Sequence, residues 1–122
     1  MVNFELDAAH SILYVRPQAA LTADDFAKIA STVDPHIEAT GDLAGLIIET
    51  PSFPGWDSLS AMVAHFRFVR DHHKRIRKVG VVTDSAIGNA AERLANHFVS
   101  AEIKHFPAGH LDEAKAWVWS GS

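Results

Sequence analysis

Residues 43–58 read LAGLIIETPSFPGWDS, and the rest of the chain is interpreted around them. The run from Leu43 to Glu49 is almost continuously apolar, which is typical of a strand covered on both faces of a sheet. The next segment holds two prolines, a glycine and two large aromatic residues, Phe53 and Trp56, and this composition predicts a loop. We therefore expect a buried central strand that ends in a site-forming loop.

Strand and helix patterns alternate on both sides of this segment. The predicted elements are strands at 4–6 and 12–15, a helix capped by Thr22 and stopped by Gly41, the central strand at 43–49, a helix at 58–70, a strand at 79–83, a helix at 86–98, a strand at 101–106 and a last helix from about Leu111. The order β-β-α-β-α-β-α-β-α predicts one α/β domain over residues 1–122. Its mixed sheet would have four to five strands, an N-terminal hairpin followed by parallel strands, and about four helices.

Two helices carry specific expectations. Pro35 is expected to kink or end the first helix, because proline cannot donate the backbone hydrogen bond of a helix interior. In the second helix one apolar stripe follows helical spacing and is expected to be core, namely Leu59, Met62, Val63, Phe66 and Val69. The functional alternative is that this helix moves and exposes Phe66 or Phe68 to an apolar ligand.

The overall composition narrows the classes of protein. There is no cysteine, which excludes thiol catalysis and cysteine-ligated metals. The net charge of −4 argues against a general nucleic-acid binder. No apolar run reaches the length of a spanning helix, and the N-terminus does not read as a signal peptide. These features predict a cytoplasmic protein, with peripheral membrane association as an option.

Positive charge is concentrated in one segment. Six of the eleven Lys and Arg residues lie within residues 67–78. Such a patch can attract an anionic surface within a Debye length of about 8–10 Å. The alternative is a solvated helix end that faces the acidic half of the same fold.

Catalytic and metal motifs are missing from the sequence. It contains no G-x-S-x-G elbow, no P-loop and no G-x-G-x-x-G turn. Glu49, Ser52, Asp84 and Ser85 are the weaker alternative for an acid–base set at one sheet edge. The eight histidines lack zinc-site spacing and are expected to be polar surface. We therefore predict no enzyme activity, no cofactor and no metal.

Several segments together resemble the SpoIIAA-like family of small bacterial proteins. The segments are LTADDF at 21–26, SFPGWDS at 52–58, FRF at 66–68, KVGVVTD at 78–84, EIKHF at 102–106 and EAKAWV at 113–118. The resemblance implies a STAS-like fold, with similarity to both anti-sigma-factor-antagonist domains and CRAL-TRIO lipid-binding domains. It implies no catalytic activity.

The chain departs from the antagonists at one motif. They carry Asp-Ser-Ser-Gly or Asp-Ser-Thr-Gly after the central strand, whereas this chain has Glu49-Thr50-Pro51-Ser52. The phosphorylation switch is therefore not carried over. Asp57 or Ser58 is expected to cap the next helix, and phosphorylation of Ser58 is the weaker alternative.

The function predicted is binding of a small apolar or amphipathic, lipid-like ligand or of an anionic membrane surface, by a monomer or homodimer. The alternative is a STAS-type module that binds a protein partner; no nucleic acid is expected. The aromatic loop could instead fold back on the domain as a local plug. The predicted ligand-binding residues are Thr50, Ser52, Phe53, Pro54, Gly55, Trp56, Ser58, Met62, Phe66 and Asp84, and the predicted membrane or anion patch is Arg67, Arg70, Lys74 and Arg75.

Overall fold

The computed structural model describes residues 2–51, 54–84 and 100–120. The elements within these ranges are β1 (Val2–Asp7), β2 (Ile12–Pro17), α1 (Ala23–Thr40), β3 (Leu43–Glu49), α2 (Leu59–His72), β4 (Ile76–Val82), β5 (Glu102–Phe106) and α3 (Leu111–Ser120). A short 3₁₀ turn, His73–Arg75, joins α2 to β4. The helix predicted at 86–98 lies outside the described residues.

The five strands form one sheet in the order β1-β2-β3-β4-β5. β1 and β2 pair antiparallel as a hairpin, and the other neighbours pair parallel. The predicted α/β fold class, with an N-terminal hairpin and then parallel strands, is therefore confirmed. This strand order never reverses, so the described sheet lacks the switch-point crevice where open α/β sheets commonly bind ligands.

Helix α1 begins where the sequence predicts and runs past the expected break. Thr22 and Asp25 form a capping box, in which each side chain accepts a hydrogen bond from the other's backbone N–H. The expected early end at Pro35 is wrong, because the helix continues to Thr40 and ends at the predicted stop, Gly41. Val33 and Ile37 are buried on either side of the exposed Pro35, and their packing outweighs one lost backbone hydrogen bond.

The sheet is covered on both faces. On one face, α1 packs against a cluster that includes Leu13 and Val15. On the other face, Ala114 and Val118 of α3 pack with Ile12, Ile47, Val82 and Phe106. Gly45 makes this second contact possible, since a Cβ atom there would lie 2.5 Å from Cγ1 of Val118.

Helix α2 buries a different face from the predicted one. Three members of the apolar stripe expected to be core are exposed, Leu59 at 73%, Phe66 at 57% and Val63 at 37%, whereas Met62 and Val69 are half-buried. The inward positions are instead spaced i, i+4, i+7 and i+11, and they are Ala61, His65, Phe68 and His72. The expectation of surface histidines is therefore wrong for His65 and His72. Their rings stack on Phe26 and Phe68, with centroids 4.8 and 4.1 Å apart, and as aromatic groups His72 is buried and His65 half-buried.

Within the described residues, no helix has the length and apolar character needed to cross a membrane.

Candidate functional site

The loop after β3 is fastened to the segment that precedes α1. Leu21 donates its backbone N–H to the Gly55 carbonyl at 2.8 Å, and Asp57 donates to the Leu21 carbonyl at 2.9 Å. Gly55 has a φ of 81°, a left-handed conformation that favours glycine. The predicted site residues Ser52 and Phe53 lie outside the described residues. The described end of the loop therefore has a defined position beside the start of α1.

Trp56 is half-buried against α2. Its indole Nε1–H donates to Nδ1 of His65 at 3.1 Å. Its ring meets Phe66 edge-on, with centroids 5.9 Å apart. Since Phe66 is exposed and His65 faces inward, Trp56 lies between the inner and outer faces of α2. The Trp56 side chain therefore folds back onto the domain only in part, whereas a local plug would bury it.

The carboxyl ends of β3 and β4 meet next to this loop. Thr50 donates its backbone N–H to the Val82 carbonyl at 3.0 Å, and the Thr83 hydroxyl donates to the Pro51 carbonyl, also at 3.0 Å. Both threonines are buried. Asp84 is exposed, and its Oδ1 accepts a hydrogen bond from the backbone N–H of Ala108 at 3.2 Å. Of the acid–base set considered for this edge, Ser52 and Ser85 lie outside the described residues, and Glu49 pairs with Arg16 at 2.8 Å.

A cavity of about 400 Å³ lies between the sheet and helices α1 and α2. Its described walls are mainly apolar, and they include Leu13, Val15, Phe26, Ile29, Leu46, Ile48, Phe68, Val69, Val79, Val81 and Ile103. A few polar residues also line it, namely Asp25, Thr50, His65, His72, His73 and Thr83. An apolar space with a small number of placed polar groups is the usual form of a small-molecule site.

The histidines at this cavity were not predicted as site residues. His65 and Phe26 stack, and burial lowers the pKa of His65 from its ordinary value of 6.5. His72 is buried, and both of its ring nitrogens face oxygen atoms, the Phe68 carbonyl at 2.8 Å and Asp34 Oδ1 at 2.7 Å. Their signal in the sequence is the second stripe of α2, Ala61, His65, Phe68 and His72. This stripe is missed when only apolar residues are counted at helical spacing.

The outer face of α2 changes character along its length. Leu59, Val63 and Phe66 are its exposed apolar residues. Arg67 and Arg70 follow four residues after Val63 and Phe66, and so extend the same face. The outer face therefore passes from apolar to cationic towards the end of the helix.

The four predicted patch residues are all exposed, but two of them are paired. Arg70 lies 2.9 Å from Asp71, and Arg75 lies 2.6 Å from Asp42. No described carboxylate pairs with Arg67 or Lys74. Two of the four positive charges of the patch, those of Arg67 and Lys74, are therefore not offset by an ion pair among the described residues.

Ser58 caps α2, since its hydroxyl accepts the backbone N–H of Ala61 at 3.1 Å. Its side chain is exposed at the helix start. Met62 is half-buried near the same end. Over the described parts of the chain, no group of three or more His, Asp or Glu side chains is placed to hold a metal ion.

The structure thus brings only some of the predicted site residues together. Thr50 lines the cavity, whereas Trp56 contacts Phe66 and neither of these two residues lines it. Asp84 and Arg75 are engaged elsewhere, with Ala108 and Asp42.

The comparisons with known proteins agree on the fold. The chain matches a crystal structure of an uncharacterized protein of the DUF3478 family with a SpoIIAA-like fold, from Shewanella loihica PV-4, with a TM-score of 0.75. The two sequences are 19% identical, and the match covers 97% of this chain and 92% of that one. No curated protein matches the sequence. The sequence profile of the SpoIIAA-like family matches residues 12–119, and the chain therefore belongs to that family.

Proposed function

We propose that this chain is a non-enzymatic binding module that holds a small apolar or amphipathic, lipid-like ligand in the cavity between the sheet and helices α1 and α2. The observation that carries the proposal is the cavity itself, about 400 Å³ with mainly apolar described walls. That volume falls within the roughly 300–1,000 Å³ of typical ligand pockets. Membership of the SpoIIAA-like family supports a regulatory or binding module in general. The resemblance to CRAL-TRIO domains, which remains a prediction, is a further reason to expect a lipid-like ligand.

The proposal is tested by filling the cavity. Val79 lines it and is half-buried, so Val79→Phe adds bulk inside. Val63→Phe makes the same chemical change on the exposed face of α2 and is the matched control. Octanoate titrated by calorimetry should bind the wild type and Val63→Phe alike, and should bind Val79→Phe at least about tenfold more weakly, a loss of about 1.4 kcal/mol. No binding to the wild type, or equal binding to both variants, would contradict the proposal.

We propose an anionic membrane surface as the second binding target, through the outer face of α2. Full burial of a side chain such as Phe66 contributes about 1.5–3 kcal/mol. Each free cation near anionic lipid contributes about 1 kcal/mol. Because Arg70 and Arg75 are paired, Arg67 and Lys74 supply most of this attraction. Those amounts support weak, reversible association that depends on salt concentration.

Vesicle co-sedimentation tests this second target. Vesicles with anionic lipid should carry the wild type down at low salt, and vesicles of zwitterionic lipid should not. Phe66→Ser should abolish the association, and Arg67→Glu should weaken it. Lys28→Glu, an exposed charge reversal on α1, serves as the control and should leave it intact. Sedimentation that does not depend on the lipid charge, or that persists in the Phe66→Ser variant, would rule out the outer face of α2 as the contact.

A protein partner is the alternative use of the same face. The observation favouring it is the contiguous set of Trp56, Leu59, Val63 and Phe66 beside cationic residues, since aromatic residues and arginine are enriched at protein interfaces. Capture of one defined protein that is lost with Phe66→Ser, together with no vesicle association, would favour this alternative over the membrane.

A further inference from the structure

A hydrogen bond from Trp56 decides which nitrogen of His65 can carry a proton. The indole Nε1–H can only donate, and it lies 3.1 Å from Nδ1 of His65. Nδ1 must therefore accept, so a neutral His65 ring carries its single proton on Nε2. Burial lowers the pKa of His65, which favours this neutral form at pH 7.

The ring of His65 is held in place, and its Nε2 donor meets no acceptor among the described residues. It stacks on Phe26, with centroids 4.8 Å apart and planes inclined by 20°. No described residue accepts a hydrogen bond from Nε2 of His65. Since His65 lines the cavity, the second nitrogen is a candidate donor to whatever enters it.

The other two histidines at the cavity are less suited to this role. His72 has both ring nitrogens against oxygen acceptors of the protein. Nδ1 of His73 accepts the backbone N–H of Ser100 at 2.9 Å in an exposed contact. His73 stands at the far end of α2, and no described aromatic ring contacts it as Phe26 contacts His65.

We infer that the Nε2–H of His65 is the polar anchor of the cavity, and that it binds a hydrogen-bond acceptor on the head group of a single-chain amphiphile. A carboxylate, ester or hydroxyl oxygen would meet this donor, and the hydrocarbon chain would lie against the apolar sheet residues Val79 and Val81. This inference rests on the ligand cavity proposed above and adds which end of the ligand is recognised and by which atom.

Three probes separate this inference from the cavity proposal. Octanoate and 1-octanol carry an acceptor, whereas n-butylbenzene is apolar and has none. One hydrogen bond is equivalent to roughly tenfold in affinity, so the ratio of octanoate or 1-octanol affinity to butylbenzene affinity should be about tenfold higher in the wild type than in His65→Leu. The butylbenzene affinity of His65→Leu should stay within about threefold of the wild type, because a leucine keeps an apolar wall. His73→Leu is the matched control and should retain the wild-type ratio.

Each result has one consequence. Binding of all three probes with the same affinity ratio in the wild type and in His65→Leu would overturn the anchor and leave the cavity proposal standing. A ratio that falls only in His73→Leu would also overturn it. Failure of every probe to bind the wild type would overturn both. A test without ligand uses the ¹⁵N chemical shifts of His65, which should show a protonated Nε2 and a bare Nδ1; the reverse tautomer would contradict the inference.

Discussion

Nε2 of His72 lies 2.7 Å from Oδ1 of Asp34, and this contact fastens α2 to α1 beside the cavity. His72 is buried, so loss of its partner leaves a polar ring nitrogen poorly solvated. Because the Asp34 side chain is 53% exposed, water screens part of the interaction. The contact therefore contributes less than a fully buried pair would, yet more than a surface ion pair.

Asp34→Ala should lower the free energy of unfolding by about 1 kcal/mol, since the buried His72 loses one of its two partners. Urea denaturation followed by circular dichroism measures the change. Asp24→Ala removes an exposed pair with Lys28 on the same helix and should change stability by no more than about 0.5 kcal/mol at moderate salt. Equal effects from the two variants would mean that the Asp34 contact is only a surface pair.

Gly45→Ala should destabilise the chain by roughly 1–3 kcal/mol, because the new Cβ would lie 2.5 Å from Cγ1 of Val118 and push α3 from the sheet. Gly80→Ala is the matched control in the neighbouring strand. Its Cβ would come no closer than 3.6 Å to Ala114, an ordinary contact. Thermal unfolding should therefore show a lower midpoint for Gly45→Ala alone. Similar midpoints for the two variants would contradict the close packing of α3 against β3.

Phe66 and Phe68 should respond differently to truncation. Phe68→Ala removes a half-buried ring that stacks on His72 at 4.1 Å and should cost roughly 2 kcal/mol of stability. Phe66 is 57% exposed, so Phe66→Ala should cost no more than about 1 kcal/mol, mainly from its edge contact with Trp56. Chemical denaturation of the two variants checks which loss of stability is larger. A larger loss of stability in Phe66→Ala than in Phe68→Ala would contradict this orientation of α2. It would favour the apolar stripe expected from the sequence as the buried face.

Acidification should weaken the fold through His65. Burial lowers its pKa below 6.5, so the unfolded chain binds this proton more readily than the folded chain. The free energy of unfolding should therefore fall as the pH drops below about 6.5, and should keep falling until the folded state is protonated too. Protonation would also displace the hydrogen bond from Trp56, since Nδ1 could no longer accept it.

The control for this pH effect is His65→Phe, which keeps an aromatic ring without a titrating group. Its unfolding free energy between pH 7 and pH 5 should depend less on pH than that of the wild type. The carboxyls of Asp7 and Asp71 do not interfere, because hydrogen bonds from His10 and Arg70 hold their pKa values below 3.8. Identical slopes for variant and wild type would show that His65 is not desolvated.

The strand pattern and the helix caps could be predicted from local sequence because their causes are local. The apolar run of β3, the capping box of Thr22 and the stop at Gly41 each depend on a few adjacent residues. Whether α1 ends at Pro35 or runs on to Gly41 could not be decided in this way. It depends on Val33 and Ile37 packing against the sheet, which is a tertiary effect.

The orientation of α2 could not be predicted from the sequence for a related reason. Two stripes run along this helix, and hydropathy favours the one with Leu59 and Phe66. The stripe that is buried contains His65 and His72, whose polar atoms find partners only once α1 and the loop at Trp56 are in place. A histidine counts as polar in a sequence pattern and packs as an aromatic ring when its nitrogens are satisfied. The cavity and its anchor could not be predicted for that reason.

The central claim is that the cavity between the sheet and helices α1 and α2 holds an apolar chain, and a crystal soaked with ω-bromooctanoate tests it most directly. The account predicts an anomalous bromine peak inside the cavity near Val79 and Val81, with the carboxylate towards His65. Bromine found only on the outer face of α2 would contradict the claim. So would the absence of any ordered bromine in the crystal, if the protein binds octanoate in solution.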